Sequence, residues 1–186
     1  MEDLRVRKTK KSIETALLEL IEIKGFKKVR MVDIADRAMV NRNTIYLHYD
    51  SKEEIISKMI EESFNGIEGE KNFLDQISPR MSRKKIYNLF IKMFEIVKDN
   101  IDLYRLVLTE PTLVGYLDKR VNKLKDSVIN LFKNTTSAKI SVEFLGSGIY
   151  GQVKKWIIYD IGTIEENSTI LTNLTVNTLR VVMFTR

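Results

Sequence analysis

Residues 32–60 read VDIADRAMVNRNTIYLHYDSKEEIISKMI. Ile34, Ala35 and Ala38 fall on one side of a helix about two turns long, predicted over Val32–Ala38. Asn41 is placed to cap a second short helix, predicted over Asn41–Tyr49, and only Met39 and Val40 separate the two. Ser51 and Glu54 then form an S-x-x-E capping box that opens a helix carrying Ile55, Ile56, Met59 and Ile60. Two short helices joined by so tight a turn have the sequence shape of a helix-turn-helix.

Working outward, Ile13, Ala16, Leu17, Leu20 and Ile21 follow the i, i+3, i+4, i+7, i+8 spacing of one helical face, which predicts a supporting helix from Thr9 to Lys24 with Gly25 as its stop. Downstream, Phe64 to Ser82 mixes Gly, Asn, Pro and charge and reads as a boundary between a head, residues 1–63, and a larger body, residues 64–186. In the body, Ile86, Leu89, Phe90, Met93, Phe94 and Val97 mark one helix. Leu117, Val121, Leu124, Val128 and Leu131 mark another, with a turn or helix start at Pro111 between them. Leu145, Ile149, Val153, Trp156 and Ile157 form a stripe over Ser141–Ile161. The Thr- and Val-rich segment 168–185 leans towards strand by propensity, but it exceeds an ordinary strand in length and is read as helix. Two prolines and eight glycines in 186 residues leave little punctuation. The expected fold is all-α, a three-helix helix-turn-helix head on a helical bundle, about nine helices in all.

Composition narrows the function. Without cysteine the chain has no disulfide framework, thiolate chemistry or cysteine-based zinc site, and its one histidine, His48, builds no metal site alone. Neither a signal-peptide-like apolar core nor an apolar run of the ~18 to 20 residues that span a bilayer is found, so a cytoplasmic protein without membrane association is expected. The net charge of +6 favours anionic partners. Gly146, Gly148 and Gly151 match the GxGxxG of dinucleotide-binding loops, but that loop needs a βαβ unit for which the remaining chain is too short and too helical. The pairs Glu53/Glu54, Glu61/Glu62 and Glu165/Glu166 are adjacent, face different directions on a helix and read as solvated charge. No Asp completes a triad within the motif around His48. No enzyme, cofactor or metal is expected.

Helical geometry sorts the residues around His48. Ile45 and Tyr49 stand one turn apart and can pack inward, while Arg42 and Tyr46, with Asn43 beside them, form a row suited to base edges and phosphates. Thr44 and His48 make another row. Lys52 adds a cation where a helix N-terminus already favours an anion. Upstream, Arg5, Arg7, Lys8, Lys10 and Lys11 form a basic cluster within reach of a DNA backbone.

The stretch DIADRAMVNRNTIYLHYDSKEEI, residues 33–55, resembles the DNA-binding signature of TetR-type transcriptional regulators, a likeness that runs from roughly Lys11 to Ile60. It implies an all-helical homodimer, each subunit with an N-terminal helix-turn-helix head and a C-terminal body that dimerises and usually binds a small-molecule effector; the expected function is a ligand-responsive repressor on a palindromic double-stranded DNA operator. By the same resemblance Thr44, Tyr46, His48 and Lys52 contact DNA, mainly its backbone; His48 either grips phosphate or supports the helix that does. With Arg30, Asn41, Arg42 and Asn43 these make the candidate DNA-binding set. Arg30 stands where the family often has a capping Thr, and Met39 and Asn43 where it usually has Gly. In the body, SGIYGQVKKWIIYD, residues 147–160, is similar to the subgroup that includes the dihydroxyacetone-kinase activators. Phe90, Met93, Phe94, Tyr104, Leu108, Tyr150 and Trp156, large apolar residues with a few polar tips, are the candidate effector pocket. The last two helices are the expected dimer face. Two alternatives are a coactivator of this fold acting through a protein partner, which would leave the Tyr46/Lys52 face dispensable, and a dinucleotide enzyme using GSGIYG.

Overall fold

The computed structural model describes residues 4–68, 81–132 and 135–184, with the side chains of residues 65–68 and 180–184 left aside. Nine α-helices and no strand are found among these residues. They are α1 (Leu4–Lys24), α2 (Met31–Arg37), α3 (Arg42–Tyr46), α4 (Lys52–Glu68), α5 (Arg83–Asp99), α6 (Ile101–Thr109), α7 (Val114–Leu131), α8 (Thr136–Tyr159) and α9 (Ile164–Phe184). A 3₁₀ turn, Phe26–Lys28, follows α1.

In the head, α1 presents Ile13, Ala16, Leu17 and Ile21 to α2 and α4, which return Ile34, Ala35, Ile55, Ile56 and Ile60, all buried. The helix begins at Leu4, earlier than the apolar stripe alone predicts, so the basic residues from Arg5 to Lys11 lie on helix. Charged positions carry no apolar periodicity, and for that reason the stripe reads only the buried part. Gly25, at φ 75°, ends α1 in a conformation that a side chain would strain.

In the body, α5 lies along α9, and α8 packs against α7 and α9. Phe94 and Trp156 cross edge to face, with centroids 5.0 Å apart, and the indole N–H donates to the Gly162 carbonyl at 3.1 Å. The α8–α9 turn is closed by a capping box that the adjacency of Glu165 and Glu166 hid: Thr163 N–H donates to the Glu166 carboxylate at 2.8 Å and Glu166 N–H to Thr163 Oγ1 at 3.1 Å. Glu166 is thus a cap rather than a solvated charge. The Thr- and Val-rich segment is helical through Phe184, with Thr172 and Thr178 donating their hydroxyls to carbonyls four residues back.

Head and body meet at α4. It continues unbroken through Phe64 to Glu68, residues expected to lie in the boundary region; of that region, 69–80 fall outside the described residues. Ser63 on α4 gives its hydroxyl hydrogen to the Ile60 carbonyl, so the Tyr104 hydroxyl of α6, 2.8 Å away, donates to Ser63. Burial pushes the Tyr104 hydroxyl above its ordinary pKa. Arg120 of α7 stands 4.8 Å over the Phe64 ring.

Candidate nucleic-acid interface and body cavity

The turn between α2 and α3 is a Schellman motif. Val40 N–H reaches back to the Ala35 carbonyl at 3.0 Å and Met39 N–H to that of Asp36 at 3.2 Å, with Met39 in the left-handed region at φ 53°. A methionine therefore occupies the position where glycine is easiest, and its side chain is 93% exposed. Asn41 caps α3 by accepting from Asn43 N–H at 2.8 Å. The helix ends at Tyr46, earlier than expected, but Ile45 and Tyr49 both point inward and are buried.

Tyr49 is tied down by its hydroxyl, which donates to buried Glu14 of α1 at 2.9 Å. Burial raises the pKa of Glu14, partly offset by that hydrogen bond. Glu14 carries no sequence signal, because one carboxylate on an otherwise ordinary helix face gives no hint of a partner 35 residues away.

The outward residues divide into free and committed groups. Arg42, Asn43 and Tyr46 are exposed, and their side-chain polar atoms have no partner among the described residues. Thr44 and His48 are half-buried. His48 lies just past α3, edge-on to Tyr49, and its carbonyl accepts from the Lys58 ammonium at 3.1 Å. Lys58, four residues after its ion-pair partner Glu54, also stands over the Tyr49 ring; the i, i+4 spacing was the available sequence signal for it.

Arg30 is committed. Its backbone N–H donates to Asp33 at 2.9 Å and its guanidinium to the same carboxylate at 3.0 Å. The Arg side chain has no acceptor, so the cap at the start of α2 is made from the Asp33 side alone. Lys24 joins Asp33 at 2.7 Å. These contacts, with the Arg30 guanidinium first, hold the Asp33 carboxyl well below the usual carboxylate range.

Lys52 departs further from expectation. Its ammonium donates to the carbonyls of Phe26 at 2.7 Å, Val29 at 2.9 Å and Lys27 at 3.3 Å, and lies 4.5 Å over the Phe26 ring. All three donors satisfy the end of the 3₁₀ turn rather than standing open to a phosphate. At the start of α4, Ser51 Oγ accepts from Glu54 N–H at 3.1 Å as the box requires, but the Glu54 carboxylate reaches one residue past Ser51, to Asp50 N–H at 2.5 Å.

In the body, a cavity of about 270 Å³ opens between α5, α7 and α8. Five of the seven candidate pocket residues line it: Phe90, Met93, Tyr104, Leu108 and Tyr150. Phe94 and Trp156 do not; they are the edge-to-face core pair. The α7 stripe at Val121, Leu124 and Val128 also lines the cavity, and Leu131 is exposed. Glycines 146, 148 and 151 lie inside continuous α8, where backbone N–H groups bond within the helix and are not free to cradle a pyrophosphate. A Cβ on Gly146 would stand 3.0 Å from the Lys125 stem, whereas Gly148 and Gly151 face open space.

No helix among the described residues is long and apolar enough to cross a membrane. Residues 13–59 match the family of bacterial regulatory proteins of the tetR type. Three solved structures share the whole fold. A TetR-like transcriptional regulator from Rhodococcus sp. RHA1 is 16% identical over 95% of this chain and 96% of its own, with a TM-score of 0.61. The dihydroxyacetone kinase operon activator DhaS is 16% identical over 93% and 97%, TM-score 0.62. NalD of Pseudomonas aeruginosa, the secondary repressor of the MexAB-OprM multidrug efflux pump, is 16% identical over 95% and 96%, TM-score 0.63. No curated protein matches the chain. Residues 13–59 are therefore similar to the tetR family of bacterial regulatory proteins, and the chain shares its fold with these three structures over more than nine-tenths of its length.

Proposed function

We propose that this protein is a ligand-responsive transcriptional repressor that binds a palindromic DNA operator as a homodimer in the cytoplasm, with residues 1–63 as the DNA-binding head and 64–186 as the effector-binding and dimerisation body. The observation that carries the reading is α3, which buries Ile45, with Tyr49 buried just past its end, and turns the side chains of Arg42, Asn43 and Tyr46 outward with no partner among the described residues. Such side chains meet base edges and phosphates when a recognition helix enters the major groove. Asn41 caps that helix, Lys58 ties down the His48 carbonyl beyond it, and Lys52 and Arg30 fasten its support, while Thr44 stays in the row that contacts DNA.

The dimer reading is supported by exposed apolar residues on the last two helices, among them Phe144 and Ile158 on α8 and Ile170 and Leu174 on α9. Two heads would engage half-sites about 34 to 36 Å apart or at a multiple of the helical repeat. An effector in the body cavity would shift the dimer between arrangements that match and mismatch this spacing. Phe64 and Tyr104 support that coupling, because both line the cavity at the α4 junction. DhaS is named an activator and NalD a repressor, so the sign of regulation rests on where the operator lies and is read with a promoter reporter.

The test is selection of randomised duplex DNA by the purified protein, repeated with Arg42→Ala and Tyr46→Ala. An enriched palindrome that weakens in both variants, with affinity falling steeply as added salt lowers the entropy gained by releasing counterions, is expected. Absence of enrichment together with salt-insensitive binding would overturn the proposal.

A further inference from the structure

The body cavity exposes an almost wholly apolar surface, with Phe90, Met93, Val121, Leu124, Leu145 and Ile149 among its walls. The tyrosines and lysines on its lining are already engaged. Tyr104 gives its hydroxyl hydrogen to Ser63, and Tyr150 gives its own to Asp118 at 2.7 Å. Lys125 lays its stem along Gly146 and carries its ammonium to the exposed Glu143 at 2.7 Å and to Ser147 at 3.4 Å. The ammonium of Lys154 stands 5.3 Å over the Tyr150 ring. Thr175 Oγ1 is buried without a partner among the described residues, and a hydroxyl brings no charge.

An ion entering such a space gives up its hydration with no counter-charge in return, whereas an apolar molecule gains by leaving water. Size narrows the class further. A dry apolar cavity of about 150 Å³ takes up benzene. By the same measure the body cavity, at about 270 Å³, has room for a molecule of roughly ten to twelve non-hydrogen atoms.

Resting on the effector reading above, we infer that the body cavity takes an uncharged, apolar molecule of that size and rejects its charged isosteres of either sign. The first glycine of GSGIYG has a use in this arrangement. With no side chain at Gly146, where a Cβ would stand 3.0 Å from the Lys125 stem, that stem joins the wall as apolar surface while its ammonium stays with Glu143.

The test is calorimetry in which the full-length protein, without DNA, is titrated into 4-isopropyltoluene, 4-methylbenzoate or 4-methylbenzamidinium, which share one skeleton of non-hydrogen atoms and differ in charge. The neutral compound is expected to bind at least about tenfold more tightly than either ion. Val121→Phe, which fills the cavity, is expected to weaken that binding by about tenfold or more. Leu145→Phe takes its place if Val121→Phe loses helical circular dichroism. Equal affinity for the three compounds, tighter binding of either ion, no saturable binding of 4-isopropyltoluene, or unchanged affinity in a folded, filled variant would overturn the inference. The effector reading fails separately. If 4-isopropyltoluene binds without altering operator affinity, that reading falls and this inference stands; if an ion binds more tightly and releases DNA, the reverse holds.

Discussion

The ammonium of Lys52 shows how a residue's role turns on its partners. A lysine in the first turn of a helix reads as a phosphate contact, but three carbonyls 23 to 26 residues upstream and the Phe26 ring take all of its bonding capacity. Lys52→Met is expected to lower head stability by about 1–3 kcal/mol, since it leaves carbonyls unpaired and removes a cation–π contact. Thermal denaturation measures this, and an unchanged melting temperature would return Lys52 to the DNA surface. Met39 poses the opposite case, a side chain that occupies a glycine's conformation with no contact to offset it. Met39→Gly is expected to raise stability by about 0.5–1 kcal/mol, because the left-handed strain exceeds the entropy glycine adds to the unfolded chain. A lower denaturation midpoint would show that the Met side chain earns its place. The outward row at Arg42, Asn43 and Tyr46 was legible from spacing alone, since neighbours one turn apart share a face. The commitments of Arg30 and Lys52 were not, because hydrogen bonds to another element leave no periodic trace.

At the scale of elements, α2 is the shortest support of the turn after α3 itself, and its start depends on Asp33. The depressed pKa of that carboxyl means the folded state binds its proton less readily than the unfolded chain. Its stabilising contribution is therefore full above the usual carboxylate range and is lost as pH falls through and below it. Glu54, held low first by Lys58 and then by Asp50 N–H, acts in the same direction at the start of α4. Asp33→Asn is expected to be less stable than the parent at neutral pH and to show a shallower loss of stability between about pH 5 and 2. Denaturant midpoints across that range test this, and parallel curves would remove Asp33 from the account. Most elements were readable because their signals are local. The stripe of α1, the Asn41 cap and the length of α9 each depend on residues within a few turns. The Thr163–Glu166 box is equally local, a T-x-x-E pattern masked by the adjacent carboxylate of Glu165.

For the whole molecule, the proposed pairing of α8 and α9 predicts that Phe144→Glu combined with Leu174→Glu yields monomer in sedimentation equilibrium, where the parent is a dimer. Operator affinity should fall with it, because a single head loses the second half-site's contacts. A monomeric parent, or an undisturbed double variant, would move the interface elsewhere. The sequence by itself determined the all-helical class, the order of the helices and the turn between α2 and α3, because apolar periodicity, caps and breakers act over three to eight residues and need no knowledge of the rest of the chain. Only the tertiary structure decided which large apolar residues are core and which surround space. Phe90 and Phe94 sit one turn apart on α5, yet one lines the cavity and the other packs edge to face against Trp156, 62 positions away. It likewise decided that Lys125 pairs with Glu143 while Lys154 lies over the Tyr150 ring. Those distinctions arise where faces of separate helices meet, and the distance between such faces is written in no single helix.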